Sequence, residues 1–295
     1  MLAAQGETKK AQHLLEEAVK LSPMAIRRQM QLGKLAMENE DFDVSSRAYR
    51  HAVEQGRTSR FKSPENYLGL SQALTAQAGE GSLDKRVQQE INQTLGELEK
   101  SYSDNPAVQV RARLVHAQSL VKSGDAATAM KLTDEAMARM AELPQFFSAE
   151  VALQVAGQLR ALGQPEAGDA LLKNCVEIYG DDPAVLSKVA EQTTAPAILG
   201  GGKEAVELNR QGVRCYQQGQ HDEALALFRR ALALQPKNIS IALNTAQSLL
   251  RLGGEQPPAE LLDECRRCLG AVSMIPDSDP RQARYQQLRQ RAFGA

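Results

Sequence analysis

The residue types that could support chemistry begin with the four cysteines. Cys265 and Cys268 form a C-x-x-C pair, and on a helix this spacing would place both sulfur atoms on one face. A zinc site would need two further ligands, but Cys175 and Cys215 stand alone in other parts of the sequence. A thioredoxin-like role needs a strand–helix–strand setting, which the sequence does not provide. We therefore expect four reduced, structural cysteines, and we predict no metal and no cofactor.

No other group of residues has the spacing of a catalytic motif. The four histidines are far apart, and none belongs to a compact ligand pattern such as H-E-x-x-H. The segment Gly200-Gly201-Gly202-Lys203 resembles a phosphate-binding loop, but Glu204 follows the lysine where Ser or Thr is required. Acidic residues are spread along the chain, and no pair is singled out for acid–base catalysis. The sequence predicts that the protein is not an enzyme.

Basic residues cluster only near the C-terminus. Arg281, Arg284, Arg289 and Arg291 have no acidic residue among them and give a local charge of +4. Such a cluster could bind an acidic partner or a phosphate backbone. The whole chain, however, has a formal net charge of −1, whereas nucleic-acid binders are usually basic. A solvated helix face is therefore favoured, and nucleic-acid binding is the less favoured function.

The composition indicates which elements must position these residues. Aromatic residues make up 4% of the 295 residues and Trp is absent, so the core must consist of Leu, Ala, Val and Met. No run of alternating β-branched residues bounded by turns predicts a strand. No apolar stretch is long enough to span a bilayer, and no signal peptide is visible. We expect an all-α, cytoplasmic protein.

An internal repeat is clearest at residues 205–238, which span 34 residues. Residues typical of one frame stand at positions 4, 8, 20, 24, 27 and 32: Leu208, Gly212, Ala224, Phe228, Ala231 and Pro236. This segment resembles the tetratricopeptide repeat, a pair of antiparallel helices. The small residues would let the helices approach closely, and Phe228 would fill the space between neighbouring hairpins. Gly219, at position 15, would end the first helix in the left-handed conformation.

Looser repeats fit the same frame and predict a tetratricopeptide-type superhelical solenoid of about six to seven helical hairpins. We divide the chain into an N-terminal array (1–182), a joint or degenerate repeat (183–202) and a C-terminal lobe (203–295) ending in a capping helix at 280–293. Within these, the repeats are expected at 1–25 (partial), 26–59, 64–106, 110–143, 149–182, 205–238 and 239 to about 269.

The first repeat is incomplete in this frame. Gly6, Ala11, Leu15, Ala18 and Pro23 match positions 15, 20, 24, 27 and 32, so the frame would begin before Met1. We expect upstream sequence that is missing here, and we expect the N-terminal helix to fray or self-associate through its apolar face.

Three segments resemble a narrower family, the C-terminal tetratricopeptide region of bacterial response regulators with an N-terminal CheY-like receiver domain. They are LSPMAIRRQMQLGKLAMENEDF at 21–42, SRFKSPENYLGLSQAL at 59–74 and LNRQGVRCYQQGQHDEALALFRRAL at 208–232. The resemblance implies an output region in two-component signal transduction, with a receiver upstream of Met1. No receiver pattern lies in these residues, so no phosphorylation site is carried over.

The repeat resemblance also implies where a partner would bind. In tetratricopeptide proteins the first helix of each pair lines a groove through positions 2, 5, 9 and 12. Here these positions hold Arg27, Met30, Lys34, Met37, Arg111, Leu114, Gln118, Val121, Val206, Asn209, Val213 and Tyr216. Their mixed polarity suits a protein or peptide partner. Asn209 and Asn244 do not reproduce the Lys, Asn and Arg clamp of the chaperone-binding subclass, so we predict no chaperone-tail binding.

The predicted function is therefore a protein–protein interaction scaffold, placed by the resemblance in a response regulator. The alternative is a free-standing assembly or secretion accessory protein, and the chain could also form a homo-oligomer. Binding of a nucleic acid through the C-terminal arginines is the third reading, and no membrane partner is expected.

Overall fold

A computed structural model describes residues 7–79, 82–142, 148–200, 202–254 and 256–294 of the chain. Every extended regular element in these ranges is a helix, and they contain no strand. The prediction of an all-α fold built from helical hairpins is confirmed. The chain divides into two compact units, Met1–Arg139 and Met140–Ala295, which are described separately.

The first unit is a succession of helices, and from α1 to α6 each packs on the next. In addition, α2 contacts α4 and α4 contacts α6, so these three helices form one layer and α3 and α5 pack beside it. The division between the units falls within α7. The helices are α1 (Thr8–Leu21), α2 (Ile26–Glu38), α3 (Phe42–Gly56), α4 (Pro64–Gln77), α5 (Lys85–Ser101), α6 (Pro106–Ser123) and α7 (Ala126–Glu142).

Local sequence explains where several of these helices begin. The side chain of Asp41 accepts a hydrogen bond from the Val44 amide at the start of α3, and Asn105 does the same for α6. Pro106 occupies the first turn of α6, where a missing amide hydrogen costs nothing. This cap starts α6 before residue 110, the beginning of the repeat predicted there.

Ring-on-glycine contacts hold the helices of the first unit close together. Tyr49 on α3 is 7% exposed and lies against Gly33 on α2 and Gly69 on α4. A Cβ atom at Gly33 would lie 2.8 Å from the Tyr49 ring, which is inside van der Waals contact. One aromatic side chain therefore fixes the spacing of three helices.

The second unit begins with a hairpin, continues through two short helices and ends with five longer ones. Its largest core joins side chains from α8 and α9 through α14, α15 and α16. The helices are α8 (Ala149–Ala161), α9 (Pro165–Tyr179), α10 (Pro183–Gln192), α11 (Pro196–Leu199), α12 (Lys203–Gln217), α13 (His221–Leu234), α14 (Ile239–Leu252), α15 (Ala259–Ala271) and α16 (Gln282–Phe293).

The stretch 183–202, expected as a joint or a degenerate repeat, lies inside the second unit. Val185 and Val189 of α10 and Ile198 of α11 are buried in the same core as residues of α9 and α14. The chain instead divides between residues 139 and 140. The Thr, Pro and Gly residues of this stretch interrupt the helices, but they leave enough apolar side chains to keep the segment packed.

Gly219 has the role that the repeat frame predicts, and Phe228 is buried against the other helix of its own hairpin. Phe228 on α13 is 2% exposed, and a Cβ atom at Gly212 on α12 would lie 2.6 Å from its ring. Gly219 has a φ of 82° between α12 and α13. At the same repeat position in 26–59 stands Glu40, the only non-glycine residue with positive φ in the described ranges, at 61°. The left-handed conformation at position 15 is thus kept even where the glycine is absent.

The N-terminal helix exposes an apolar residue, as expected. Helix α1 packs on α2, and Leu14 on α1 is 58% exposed. Met1 and Gly6, which entered the argument for a truncated repeat, lie outside the described residues, as does Gly201 of the glycine-rich segment.

Candidate functional site

The predicted groove residues of the first unit differ in accessibility. Arg27, Lys34 and Gln118 are exposed, and Met30, Met37, Arg111 and Val121 are half-buried. Leu114 is fully buried, so its side chain offers no surface to a partner. It stands at the groove position of α6 but packs within the protein, and we remove it from the candidate set.

Two arginines on this face have partners within the protein. Arg111 on α6 donates two hydrogen bonds of 2.7 Å to the two carboxylate oxygens of Glu65 on α4. The Arg27 guanidinium lies over the Phe61 ring, 4.9 Å from its centroid. An acidic ligand would have to displace Glu65 before it could use Arg111.

In the second unit, α12, α14 and α16 enclose two cavities that share three wall residues, Tyr216, Gln247 and Arg284. The larger cavity has a volume of about 810 Å³, and its wall includes His221, Arg251 and Arg291. The smaller cavity has a volume of about 270 Å³, and Val213, Phe228 and Ser248 contribute to it. We call this pair of cavities the C-terminal groove. Of the residues predicted on α12, Val213 and Tyr216 line it.

A network of polar side chains connects the three helices behind the groove. Asn244 Nδ2 donates to Asn209 Oδ1 at 2.8 Å, which accounts for the burial of Asn209. Arg284 Nη2 donates to Asn244 Oδ1 at 2.8 Å and to Gln247 Oε1 at 2.6 Å. Gln247 Nε2 donates to the Tyr216 hydroxyl at 3.3 Å. These bonds hold Arg284 in one orientation at the wall of both cavities.

The described walls of the C-terminal groove carry positive charge without a counterion. Arg284 hydrogen-bonds only to amide oxygens, and its burial lowers the pKa of the guanidinium, opposed only by the Tyr216 hydroxyl. Arg251 and Arg291 are exposed, and neither makes an ion pair with another described residue. Among the described wall residues of both cavities none is acidic. Glu255, in the loop after α14, lies outside the described ranges.

Two buried polar atoms in the cavity walls have no partner in the described part of the chain. They are Oγ of Ser248, a residue that is 0% exposed, and Nδ1 of His221. The His221 ring itself packs against Tyr216, with 4.8 Å between ring centroids. A buried polar group without a hydrogen bond is costly, and both atoms are too buried to contact a ligand in the groove unless their side chains move.

The four C-terminal arginines do not form the single basic patch that their sequence allowed. Arg281 bonds to the Asp279 carboxylate through Nε at 2.9 Å and Nη2 at 2.8 Å, and it lies 3.8 Å from Asp181. Burial opposes ionisation of Asp279, but the hydrogen bonds and charge of Arg281 outweigh it and lower the pKa of this carboxyl. Arg281 is therefore neutralised, while Arg284 and Arg291 line the groove and Arg289 is exposed elsewhere. The cluster contains no acidic residue, but Asp279 lies just before it in the sequence.

The cysteines are all free thiols, and three of them are buried. Burial raises the pKa of Cys265 to about 11 and that of Cys175 and Cys268 to about 12. No group of three or more His, Cys, Asp or Glu side chains is placed to hold a metal ion in the parts that the structure describes. Within the same ranges, every helix is too short or too polar to cross a bilayer.

The fold and the groove define a protein built from helical hairpins, with a recess formed by the first helices of successive pairs. More specifically, residues 205–238, which form α12 and α13, match the family model of the tetratricopeptide repeat. The chain therefore contains a tetratricopeptide repeat, as its sequence indicated. Among curated proteins, no sequence matches this chain.

Several solved structures are similar to the chain at low identity. Yeast Tom70 is 16% identical, with a TM-score of 0.36, over 98% of this chain and 52% of Tom70, so the chain spans about half the length of that protein. The TPR2AB domain of yeast Sti1, solved in complex with pHSP90, is 13% identical, with a TM-score of 0.32, over 90% and 98% of the two chains. The TPR domain of P58(IPK) is 13% identical, with a TM-score of 0.26, over 100% and 87%.

Proposed function

We propose that this protein is an interaction module that binds a segment of a partner protein in the C-terminal groove. The observation that carries the proposal is the pair of cavities that share Tyr216, Gln247 and Arg284 between α12, α14 and α16. Such recesses, with apolar walls and a few oriented polar groups, are typical of binding sites. The tetratricopeptide match at 205–238 covers α12 and α13, and so includes one wall of this groove.

The shape of the groove supports recognition through two neighbouring side chains of the partner. Val213 and Phe228 give the smaller cavity an apolar wall, whereas the larger one combines the charged side chains of Arg251 and Arg291 with apolar ones. The shared wall places the two environments next to each other. A peptide that presents an apolar residue beside a polar one would satisfy both.

Peptide display on the full chain tests this proposal. A library of displayed peptides is selected on the wild-type protein, and the leading sequences are synthesised and measured by fluorescence polarisation. Tyr216→Ala should weaken their binding at least tenfold, about 1.4 kcal/mol, because truncation of an aromatic side chain at the centre of an interface often costs this much or more. Arg214→Ala is the matched control, since Arg214 lies on the same helix, is exposed and lines neither cavity.

Two outcomes would contradict the proposal. One is a selection that yields no peptide above background, and the other is a set of peptides that bind Tyr216→Ala as tightly as wild type. Circular dichroism of both variants establishes that the helices are intact before binding is compared.

The biological setting that we propose for this module is the output region of a bacterial response regulator, in the cytoplasm. It rests on the three segments at 21–42, 59–74 and 208–232 that resemble this family. A free-standing assembly or secretion accessory protein is the alternative setting. Reading the gene upstream of Met1 separates them, since only the first requires a receiver domain in the same reading frame.

A further inference from the structure

We propose that the C-terminal groove recognises an acidic peptide segment, whose side-chain carboxylate binds between Arg251, Arg284 and Arg291 in the larger cavity. This inference rests on the proposed function and specifies the chemistry of its partner. All three arginines line one cavity of about 810 Å³, and no acidic residue lines it among the described residues.

Several other arginines that reach a neighbouring helix in this protein pair with a carboxylate there. Arg50 pairs with Glu90 at 2.8 Å, Arg111 with Glu65 at 2.7 Å and Arg229 with Glu264 at 2.5 Å, each across two helices. In the C-terminal groove the corresponding inter-helix partners of Arg284 are the neutral amides Asn244 and Gln247. The charge of Arg284 is thus oriented by the protein but not neutralised by it.

The unused donors of the groove complete a site for a carboxylate. Arg284 uses Nε and Nη2 in its bonds to the amides, and its Nη1 makes no hydrogen bond with any described residue. Guanidinium groups bind carboxylates through paired hydrogen bonds, and a fixed guanidinium loses little freedom on binding. Arg251 and Arg291, which are exposed and line the same cavity, supply further donors for the carboxylate.

The surroundings favour a peptide over a nucleic acid. Leu250, Pro257 and Leu288 give the larger cavity apolar walls, which suit the aliphatic part of an amino-acid side chain. Phosphate backbones are bound by many basic groups spread along a surface, and the chain carries a net charge of −1. Arg281, which could have extended the basic surface, is neutralised by Asp279. Three arginines around one recess fit one or two carboxylates.

The test uses two double variants that remove the same charge. Arg251→Gln with Arg291→Gln removes two arginines from the cavity wall. Arg267→Gln with Arg289→Gln removes two equally exposed arginines from α15 and α16 that line neither cavity. The probes are the leading display-selected peptide, fluorescein-labelled and amidated at its C-terminus, and the same peptide with every Asp and Glu changed to Asn and Gln. Fluorescein-labelled (dT)12 serves as the nucleic-acid probe.

We expect the selected peptides to be enriched in Asp and Glu. The Arg251→Gln/Arg291→Gln variant and the amide version of the peptide should each lose at least tenfold in affinity. The Arg267→Gln/Arg289→Gln variant should stay within twofold of wild type, and added salt should weaken binding of the acidic peptide.

The outcomes separate this inference from the proposed function. One outcome would overturn the inference and leave the peptide-binding function intact. In it, peptide binding depends on Tyr216, but the peptides are not enriched in acidic residues and bind Arg251→Gln/Arg291→Gln as tightly as wild type. Absence of any selected peptide would overturn both. Tighter binding of (dT)12 than of the acidic peptide, lost in the same variant, would replace the acidic peptide by a nucleic acid.

Discussion

The face formed by α2, α4 and α6 and the face formed by α12, α14 and α16 differ in the partner that each provides for an arginine side chain. Each has an arginine on its last helix that reaches the preceding helix of the layer. Arg111 meets the carboxylate of Glu65, whereas Arg284 meets the amides of Asn244 and Gln247. The first face satisfies its own charge and the second leaves it for a ligand. One carboxylate in place of an amide thus decides whether such a face is structural or open to an acidic partner.

The two units are alike in how they pack an aromatic ring against glycine. Tyr49 lies against Gly33 and Gly69, and Phe228 lies against Gly212. We expect Phe228→Ala and Tyr49→Ala to lower the free energy of unfolding by about 3–5 kcal/mol each, because both rings are buried and leave a cavity. Urea titration followed by circular dichroism measures the loss. A loss below about 1 kcal/mol at either site would mean that the ring does not hold its helices together.

The next largest effect on stability is expected at Asp279, which neutralises Arg281 in the second unit. Asp279→Asn should lower the free energy of unfolding at pH 7 by about 1.5–3 kcal/mol, because Arg281 loses a charged, largely buried hydrogen-bond partner. Asp263→Asn is the control, since the Asp263–Arg266 pair is 60% and 40% exposed and should contribute less than about 1 kcal/mol.

The pH dependence of this effect follows from the lowered pKa of Asp279. A carboxyl whose pKa is lower in the folded state stabilises the protein above its unfolded pKa of about 3.9. This contribution is lost as the pH falls through the folded value. The difference between wild type and Asp279→Asn should therefore be constant above about pH 5 and shrink below about pH 4. A difference that grows on acidification would contradict the assignment.

The residue with positive φ between the two helices is Gly219 in the repeat at 205–238 and Glu40 in the repeat at 26–59. Replacing each by the other kind of residue should change the stability in opposite directions. Gly219→Ala should destabilise by about 1 kcal/mol, because a Cβ atom is strained at a φ of 82°. Glu40→Gly should stabilise by up to about 1 kcal/mol, because it removes that strain at 61°. Thermal unfolding of both variants measures the changes, and destabilisation by Glu40→Gly would show that its side chain matters more than its backbone.

The smallest effect is expected at the compensated arginine of the first unit. Glu65→Gln should change the free energy of unfolding by less than about 1 kcal/mol, because the side chains of Arg111 and Glu65 are 33% and 48% exposed. Chemical denaturation in low and high salt checks this. A larger loss would mean that the pair stabilises the layer of α2, α4 and α6.

Much of the fold could be predicted from spacing alone. Position 8 needs a small residue and position 24 a large one wherever two helices cross closely, so the residue types of Gly212 and Phe228 are enough to mark their hairpin. The packing of the stretch 183–202 is harder to predict, because Pro and Gly indicate where a helix stops but not whether the intervening side chains reach a core. Val185 and Ile198 do so through packing with distant residues of α14.

The site was only partly predictable from the sequence. The repeat frame identified Val213 and Tyr216, and extending it to the repeat beginning at 239 would have added Gln247 and Leu250 at positions 9 and 12. The frame also included Leu114, which is buried. A repeat position indicates which face of the helix a side chain lies on, but not whether the neighbouring helix covers it. The neutral partners of Arg284 depend on contacts between helices far apart in sequence, whereas the partner of Arg281, Asp279, is only two residues away.

The wall that the two cavities share has a consequence for how a ligand would bind. Tyr216, Gln247 and Arg284 belong to both cavities and are joined by hydrogen bonds, so a ligand group that changes one of these bonds in one cavity also changes the wall of the other. The binding of two side chains of one ligand should then be coupled, and this coupling is reciprocal: each would change the affinity for the other by the same factor. Fragments that fill one cavity alone would underestimate the affinity of the whole.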